Sequence, residues 1–304
     1  MTVVPQPPMR VLERGWVSSN NILLFDDGGA TLIDTGYVTH NDQTLQLVRH
    51  ALGGRPLKRI INTHLHSDHC GGNALLQREL QAQILIPPGL AAAVRRWDEA
   101  ELGYAACAQA CDRFTYDSLI EPGATLTIGG HSWRAFASPG HDPHSIVLWN
   151  AAERVLISAD ALWERGFGAI FAEIEGSSGF AEQRAILQLI EQLRPRLVVP
   201  GHGAPFTDVR SALCRAFERL DALQASPERN ARSVIKTLIK FHLLIVREVS
   251  LEELIERFSC ARYAQLINER YFRLPFADFI RRFVAELASG DALDVRDNVV
   301  FNRD

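Results

Sequence analysis

The chain has 304 residues, 47% of them hydrophobic, enough to bury a full core in one large domain or two. Its 32 basic and 36 acidic residues leave a net charge of −4, which gives no electrostatic footprint for nucleic acid or an anionic membrane. No apolar run approaches the roughly 18 residues of a membrane helix. Residues 1–8 lack the basic-then-apolar pattern of a signal peptide, and five cysteines without repeated CxxC spacing fit reduced thiols, so a cytoplasmic location is expected.

Residues 11–34 read as strands with tight turns: the apolar runs NILLF and ATLID are split by Asp26-Asp27-Gly28-Gly29. Residues 41–52 read as a helix closed by Gly53-Gly54. RIIN is a short buried strand that runs into a histidine cluster. Residues 69–80 then read as helix, QILIP as a strand, and the Ala-rich stretch 88–111 as one or two helices. ATLTI, SWRAFAS, SIVLWN and RVLISAD form a second block of strands. Residues 181–193 carry Ile186, Leu187, Ile190 and Leu193 at helical spacing. RLVVPGHG is a last buried strand ending at a histidine, and residues 207–223 are helical. Two β-rich blocks with interspersed helices predict a two-sheet sandwich covered by helices, an α+β class.

Ser226-Pro227 is the predicted boundary, dividing a metal-binding catalytic domain, 1–225, from a helical cap, 226–304. Helical patterns near 231–246, 250–258 and 274–288 are followed by ALDVRDNVVFN, which reads as a hairpin. Three helices and a hairpin resemble a winged-helix arrangement. This segment carries 13 Lys/Arg against 12 Asp/Glu from residue 227 onward, not the basic stripe of a nucleic-acid module. A cap over the active site or a dimer surface is the expected role, with the aromatic run Tyr263, Tyr271, Phe272, Phe276, Phe279 and Phe283 mostly core.

The chemistry concentrates in THLHSDHCGG, residues 63–72, which places His64, His66, Asp68 and His69 within six residues. His64 and His66 share a face in extended geometry. Asp68 and His69 stand where a helix begins. Imidazole nitrogens and carboxylate oxygens are the ligand set of a catalytic Zn²⁺ or Fe²⁺ site. Gly71 and Gly72 let backbone pass close by. His141 in SPGHDPHS, Asp160 in ISAD and His202 in VPGHG each end a predicted strand. Strand ends at one edge of a sandwich can converge although distant in sequence.

HxHxDH, then PGH, then an Asp after an apolar strand, then GH, together with LIDTG at residues 32–36, resemble the motif order of the metallo-β-lactamase superfamily. The resemblance covers about two-thirds of the chain and implies an αββα sandwich. It further implies that His64, His66 and His141 hold one metal and Asp68, His69 and His202 a second, with Asp160 bridging and Asp34 supporting. The ligand types match the glyoxalase-II-like branch rather than the cysteine-containing antibiotic-degrading branch. Two divalent metals are expected, zinc first, with iron or manganese as alternatives. Such a pair activates water to attack an acyl carbonyl, with Asp68 orienting the nucleophile or receiving a proton.

The expected activity is hydrolysis of a thioester or ester (an acyl-CoA, acyl-glutathione or lactone) with a small-molecule acyl substrate as partner, no nucleic acid, no membrane, and an oligomer allowed. Phosphodiester cleavage, a mononuclear-iron persulfide dioxygenase and a partner-binding signalling role are the alternatives. Trp163, Arg165, Phe167 and Phe171, just after Asp160, are expected to rim the site and touch substrate, with Tyr104 and Tyr116 as weaker candidates. His144 is expected to support His141 or the substrate. Cys70 reads as a small buried residue, and His40, His50, His131 and His242 as packed or surface histidines.

Overall fold

The computed structural model describes residues 8–15 and 18–303. The first sheet has six strands in sequential order: β1 (Met9–Leu12), β2 (Asn21–Asp26), β3 (Gly29–Ile33), β4 (Leu57–Ile61), β5 (Gln83–Ile86) and β6 (Ser118–Leu119). β1 to β3 run antiparallel, and β3 to β6 are parallel. The crossovers carry α1 (Asn41–Leu52), α2 (Ser67–Cys70), α3 (Asn73–Leu80), α4 (Ala91–Arg96) and α5 (Glu99–Leu102). The second sheet is β7 (Thr125–Ile128), β8 (His131–Ala137), β9 (Ile146–Asn150), β10 (Val155–Ala159) and β11 (Leu197–Pro200), in the order β11-β10-β9-β8-β7. Its covering helices are α6 (Phe171–Glu175), α7 (Phe180–Leu193) and α8 (Val209–Ala225).

Alternation along the strands builds the layers. In β2, Ile22 and Leu24 face the second sheet and pack with Trp133, Ile146, Leu148 and Ile157. Leu23 and Phe25 point the other way, toward Leu45 and Val48 of α1. The far face of the second sheet packs Val147, Leu156 and Val198 against Ile186, Leu187 and Ile190 of α7 and Leu213 and Leu220 of α8. The result is the αββα sandwich that the sequence anticipates.

Two boundaries differ from the sequence reading. The helix expected over 69–80 is two helices, α2 and α3, separated by Gly71 and Gly72. A Cβ on Gly71 would fall 2.5 Å from the Val38 nitrogen, and one on Gly72 2.5 Å from the Thr35 carbonyl, so the glycines admit the neighbouring backbone. In the C-terminal region α9 starts earlier than expected and spans Pro227–Val246, with Pro227 in its first turn.

Beyond α9 come β12 (Glu248–Ser250), α10 (Leu251–Ser259), α11 (Arg262–Ile267), a π-turn at Asn268–Phe272, α12 (Phe276–Ser289), and the hairpin β13 (Leu293–Arg296) and β14 (Val299–Asn302). β12 and α11 are additions to the expected pattern. Ser250 and Glu253 form a capping box at the start of α10. The hairpin turns on Asp297 and Asn298, both at positive φ, as a two-residue type I′ loop requires. The three strands order as β12-β14-β13, and Leu238, Leu254, Phe258, Phe279 and Phe283 form their own core with the hairpin. Among the described residues no helix is long and apolar enough to cross a membrane.

Candidate metal centre

Four strand ends and one connection converge on one edge of the sandwich. β3 runs into Asp34, β4 into Thr63 and His64, β10 into Asp160 and β11 into His202; the β8–β9 connection carries His141. The backbone is forced locally: Asp34 and Ala159 both sit at positive φ, and a register shift in the β10–β11 pairing falls beside Ala159. Strain of this kind in residues other than glycine marks sites where side-chain placement overrides backbone preference. Gly201 is needed for close approach, because a Cβ there would lie 2.2 Å from Asp160 Oδ1 and 3.0 Å from His69 Cε1.

The side chains form three overlapping groups whose ligand atoms lie within 4.8 Å of one another: His64, His66 and His141; His64, His69 and Asp160; Asp68, His69 and His202. In the first group His66 Nδ1 is 3.1 Å from His64 Nε2 and 2.8 Å from His141 Nε2. The outward nitrogens decide what these inner ones carry. His141 Nδ1 faces the Ala169 carbonyl, so it must donate. Thr63 gives its hydroxyl proton to Asp34 Oδ2 at 2.7 Å and therefore accepts from His64 Nδ1 at 3.1 Å. His66 Nε2 faces Asp142 Oδ2 at 3.5 Å. Three inward lone pairs thus point at one place with no proton to share, an arrangement that calls for a cation.

The second group repeats the logic. His69 Nδ1 donates to Asp34 Oδ2 at 2.8 Å, leaving Nε2 fully buried without a hydrogen-bond partner. Asp160 stands between the groups, with Oδ2 3.4 Å from His141 Nε2 and Oδ1 3.4 Å from His69 Nε2. Asp68 Oδ2 lies 3.2 Å from His202 Nε2. Burial, with the neighbouring His66, pushes His141 down to about 4, and burial with His69 and His66 takes His64 well below the usual histidine range. For Asp160, burial acts upward, but His69 and His202 outweigh it and hold the carboxyl well below its ordinary value. Burial acts downward on His69, but Asp160, Asp34 and Asp68 outweigh it and hold its imidazole well above the usual histidine range, so that with no cation present the carboxylates keep a proton there. Neutral His64 and His141 beside an ionised Asp160, and a buried His69 Nε2 at which a cation can replace that proton, are what metal coordination needs, so the residues present fit two divalent ions.

The chain belongs to the metallo-beta-lactamase superfamily. The family model matches residues 14–202, which contain all seven candidate ligands. The beta-lactamase-like protein 2 homolog of Caenorhabditis elegans is 25% identical over 252 residues, covering 82% of this chain and 75% of that protein. A hydroxyacylglutathione hydrolase of Anaeromyxobacter dehalogenans is 33% identical over 147 residues, or 48% of this chain. The chain spans 47% of that hydrolase's length. A metallo-beta-lactamase family protein from Thermus thermophilus shares the fold across 98% of this chain and 99% of its own, with a TM-score of 0.58 and 20% identity.

Around the cluster the residues singled out in the sequence divide. Trp163 lines the cavity beside the cluster and donates from Nε1 to Asp160 Oδ1 at 3.2 Å. Phe167 lines the same cavity. Phe171 packs its ring 5.6 Å from His66, 6.0 Å from His141 and 5.0 Å from Tyr263. Arg165 does not join them: it is exposed beside the Trp163–Gly166 bridge and is not part of the cavity lining. His144 makes no hydrogen bond to His141 but lines, with it, an outer lobe at the cavity mouth. Its N–H is held by Asp142 Oδ1 at 2.7 Å, and its exposed ring rests on Gly89. Tyr104 is buried with its hydroxyl 3.3 Å from Cys70 Sγ and lines the outer lobe at the cavity mouth rather than the inner cavity, whereas Tyr116 is bound by Arg95 and lines neither.

Other contributors were not apparent in the sequence. Asn20 donates to the Pro200 and Gly203 carbonyls and so holds the loop that carries His202. Asn62 reaches the His69 carbonyl at 3.1 Å. Asn230 of α9 brackets Ile170, donating to its carbonyl at 2.8 Å and accepting its N–H at 3.4 Å, next to the Ala169 carbonyl that orients His141. The cavity measures about 230 Å³, and its far wall is α9, through Ser233, Thr237, Leu238 and Phe241. An outer lobe at the mouth shares His66 and His141 and is lined by Glu101, Asp142, Glu175, Arg262 and Tyr263.

Proposed function

We propose that the protein is a binuclear metal-dependent hydrolase of thioesters or esters, such as an acyl-CoA, acyl-glutathione or lactone. One observation carries this reading: the inward lone pairs of His64, His66, His141 and His69 converge with the Asp68 and Asp160 carboxylates, and His69 Nε2 is buried without a partner. His64, His66 and His141 would hold one metal and Asp68, His69 and His202 the other, with Asp160 between them. Zinc is the first choice, and iron or manganese suit the same donors. Two such ions, when bound, lower the pKa of water and polarise a carbonyl.

The chain's own residues do the rest. Asp34 and Thr63 fix the tautomers of His69 and His64. Asp68 lines the cavity and is placed to hold the attacking water or take its proton. Trp163, Phe167 and Phe171 exclude bulk water from the acyl group. Residues 226–304 serve as a cap, since α9 closes the cavity; no nucleic acid or membrane is needed by this reading.

The similarity to hydroxyacylglutathione hydrolases supports thioesters as the first class to test. The His69 and His202 group argues for a binuclear site over a mononuclear-iron oxygenase. The test is metal content by mass spectrometry, followed by a panel of acyl thioesters and lactones on metal-loaded protein. About two metals per chain and turnover that a chelator abolishes are expected. Two metals with no turnover of any acyl substrate would refute the substrate class, and no metal uptake would refute the site.

A further inference from the structure

Arg219 projects from α8 into the cavity beside the metal-ligand cluster. Its Nη1 donates to the Phe167 carbonyl at 2.8 Å, and its guanidinium stands 4.7 Å over the Phe167 ring. That contact uses one of five N–H donors. No carboxylate pairs with it among the described residues. Burial lowers its pKa, and no acidic group acts in the other direction. A guanidinium nevertheless remains protonated, so the cavity wall carries a permanent cation without a counterion. An uncompensated charge in such surroundings is costly unless a ligand supplies the opposite one.

Two further polar groups face the same space. Ser233 and Thr237 lie one turn apart on α9 and line the cavity, and their hydroxyls bond to nothing among the described residues. The rest of this wall is apolar, with Phe167, Leu238 and Phe241. The corner is also near the chemistry. A Cβ on Gly166 would fall 2.7 Å from Arg219 Nη1, and one on Gly168 2.5 Å from His141 Nδ1. Two residues span about 7 Å at most between Cα atoms, so with the two Cα–Cβ bonds the guanidinium and the His141 ring are within about 15 Å. The cavity, at about 230 Å³, lies below the usual size of a small-molecule site, which suits a short acyl group and leaves its carrier in the outer lobe.

We propose that Arg219, with Ser233 and Thr237, binds a carboxylate at the far end of the acyl group, so that the favoured substrate is the thioester or ester of a short dicarboxylic acid. The reacting carbonyl is assigned by the hydrolase reading above; the anion site stands on the cavity alone. The test uses two non-hydrolysable ligands, glutaryl and pentanoyl ketone analogues of N-acetylcysteamine thioesters with CH₂ in place of sulfur. Their affinities are measured by calorimetry on the metal-loaded full chain, for the native protein, Arg219→Met, Arg219→Lys and the Ser233→Ala/Thr237→Val double variant.

The native protein should bind the glutaryl analogue about 10- to 100-fold more tightly than the pentanoyl one, the range for charge-assisted hydrogen bonds. Arg219→Met should abolish that preference while leaving pentanoyl affinity within about threefold, and Arg219→Lys should restore part of it. The double variant keeps Arg219 and should lose part of the preference, which guards against a misfolded Arg219→Met. Equal affinity for the two analogues, binding of neither, or a parallel loss of both in Arg219→Met overturns the proposal. Paired thioester assays separate the two ideas. A glutaryl preference in binding without hydrolysis sinks the hydrolase and keeps the anion site; equal hydrolysis with equal binding does the reverse.

Discussion

Replacing Asp34 by asparagine is the sharpest test of how the second metal group is oriented. Asp34 is buried, and its two oxygens serve three donors. Oδ1 accepts the Thr63 N–H at 2.8 Å, while Oδ2 accepts the Thr63 hydroxyl at 2.7 Å and His69 Nδ1–H at 2.8 Å. An amide cannot repeat this in either orientation. With its oxygen at the Oδ1 position, the NH₂ faces His69 Nδ1 and drives the proton to Nε2, where the lone pair is needed. With its oxygen at the Oδ2 position, the NH₂ opposes the Thr63 N–H, and a buried donor is left unmet at about 1–3 kcal/mol.

Asp34→Asn should therefore weaken the group formed by Asp68, His69 and His202 by about 10- to 100-fold, the range seen when the partner of a ligating histidine is lost. That corresponds to about 1.4–2.7 kcal/mol. The group of His64, His66 and His141 keeps its Ala169 and Asp142 contacts and should be affected less. Chelator-competition titration with metal counting resolves the two steps. Two metals bound with native affinities would refute the tautomer argument.

Gly201→Ala should remove one metal outright, since its Cβ would sit 2.2 Å from Asp160 Oδ1; metal counting on folded protein checks this, and two retained metals would contradict the packing. Asn230→Ala should leave the Ile170 N–H and carbonyl unmet, costing about 2–4 kcal/mol in denaturant unfolding and lowering affinity at the His141 group. Glu286 should give a pH signature. Burial acts upward on it, but hydrogen bonds from Lys236 at 2.8 Å and Arg232 at 2.7 Å take its pKa down to about 2, below the unfolded value. Its contribution is complete above pH ~4.5 and is lost as pH falls toward ~2. Because the side chain is 26% exposed, solvent screening limits the effect to about 1 kcal/mol. Native protein should thus exceed Glu286→Gln in stability at pH 6 and converge with it near pH 2–3; a constant gap would refute the pairing.

The sandwich was legible because its strands alternate and its turns are marked by Gly28-Gly29 and Gly53-Gly54. Four candidate ligands were legible because they crowd into six residues, and three more because each ends an apolar strand. The surrounding wall was not legible. Ser233, Thr237, Leu238 and Phe241 have the spacing of any amphipathic helix, and only packing decides that α9 turns them toward the cluster. Arg219 reads in sequence as one more polar residue of α8. Arg165 fails as a rim residue for the opposite reason: nearness to Asp160 in sequence says nothing of direction, and beside the Trp163–Gly166 bridge it is exposed and outside the cavity lining, while His144 stands in the outer lobe and not against His141.

The division between legible and illegible residues follows the physics of the two tasks. Metal ligands must be held within tenths of an ångström, so they come from strand ends and are braced by buried polar contacts such as Asp34 and Asn20. The ligand wall need only present charge and shape, and a helix packed across the opening can do that. Yet the two are not independent here. Asn230 of α9 fixes Ile170, whose neighbour Ala169 sets the tautomer of His141, and Arg219 holds Phe167 two residues from Ala169. The five-residue stretch from Gly166 to Ile170 therefore joins α8 and α9 to the histidine that Ala169 orients, and the wall and the cluster share one segment of backbone.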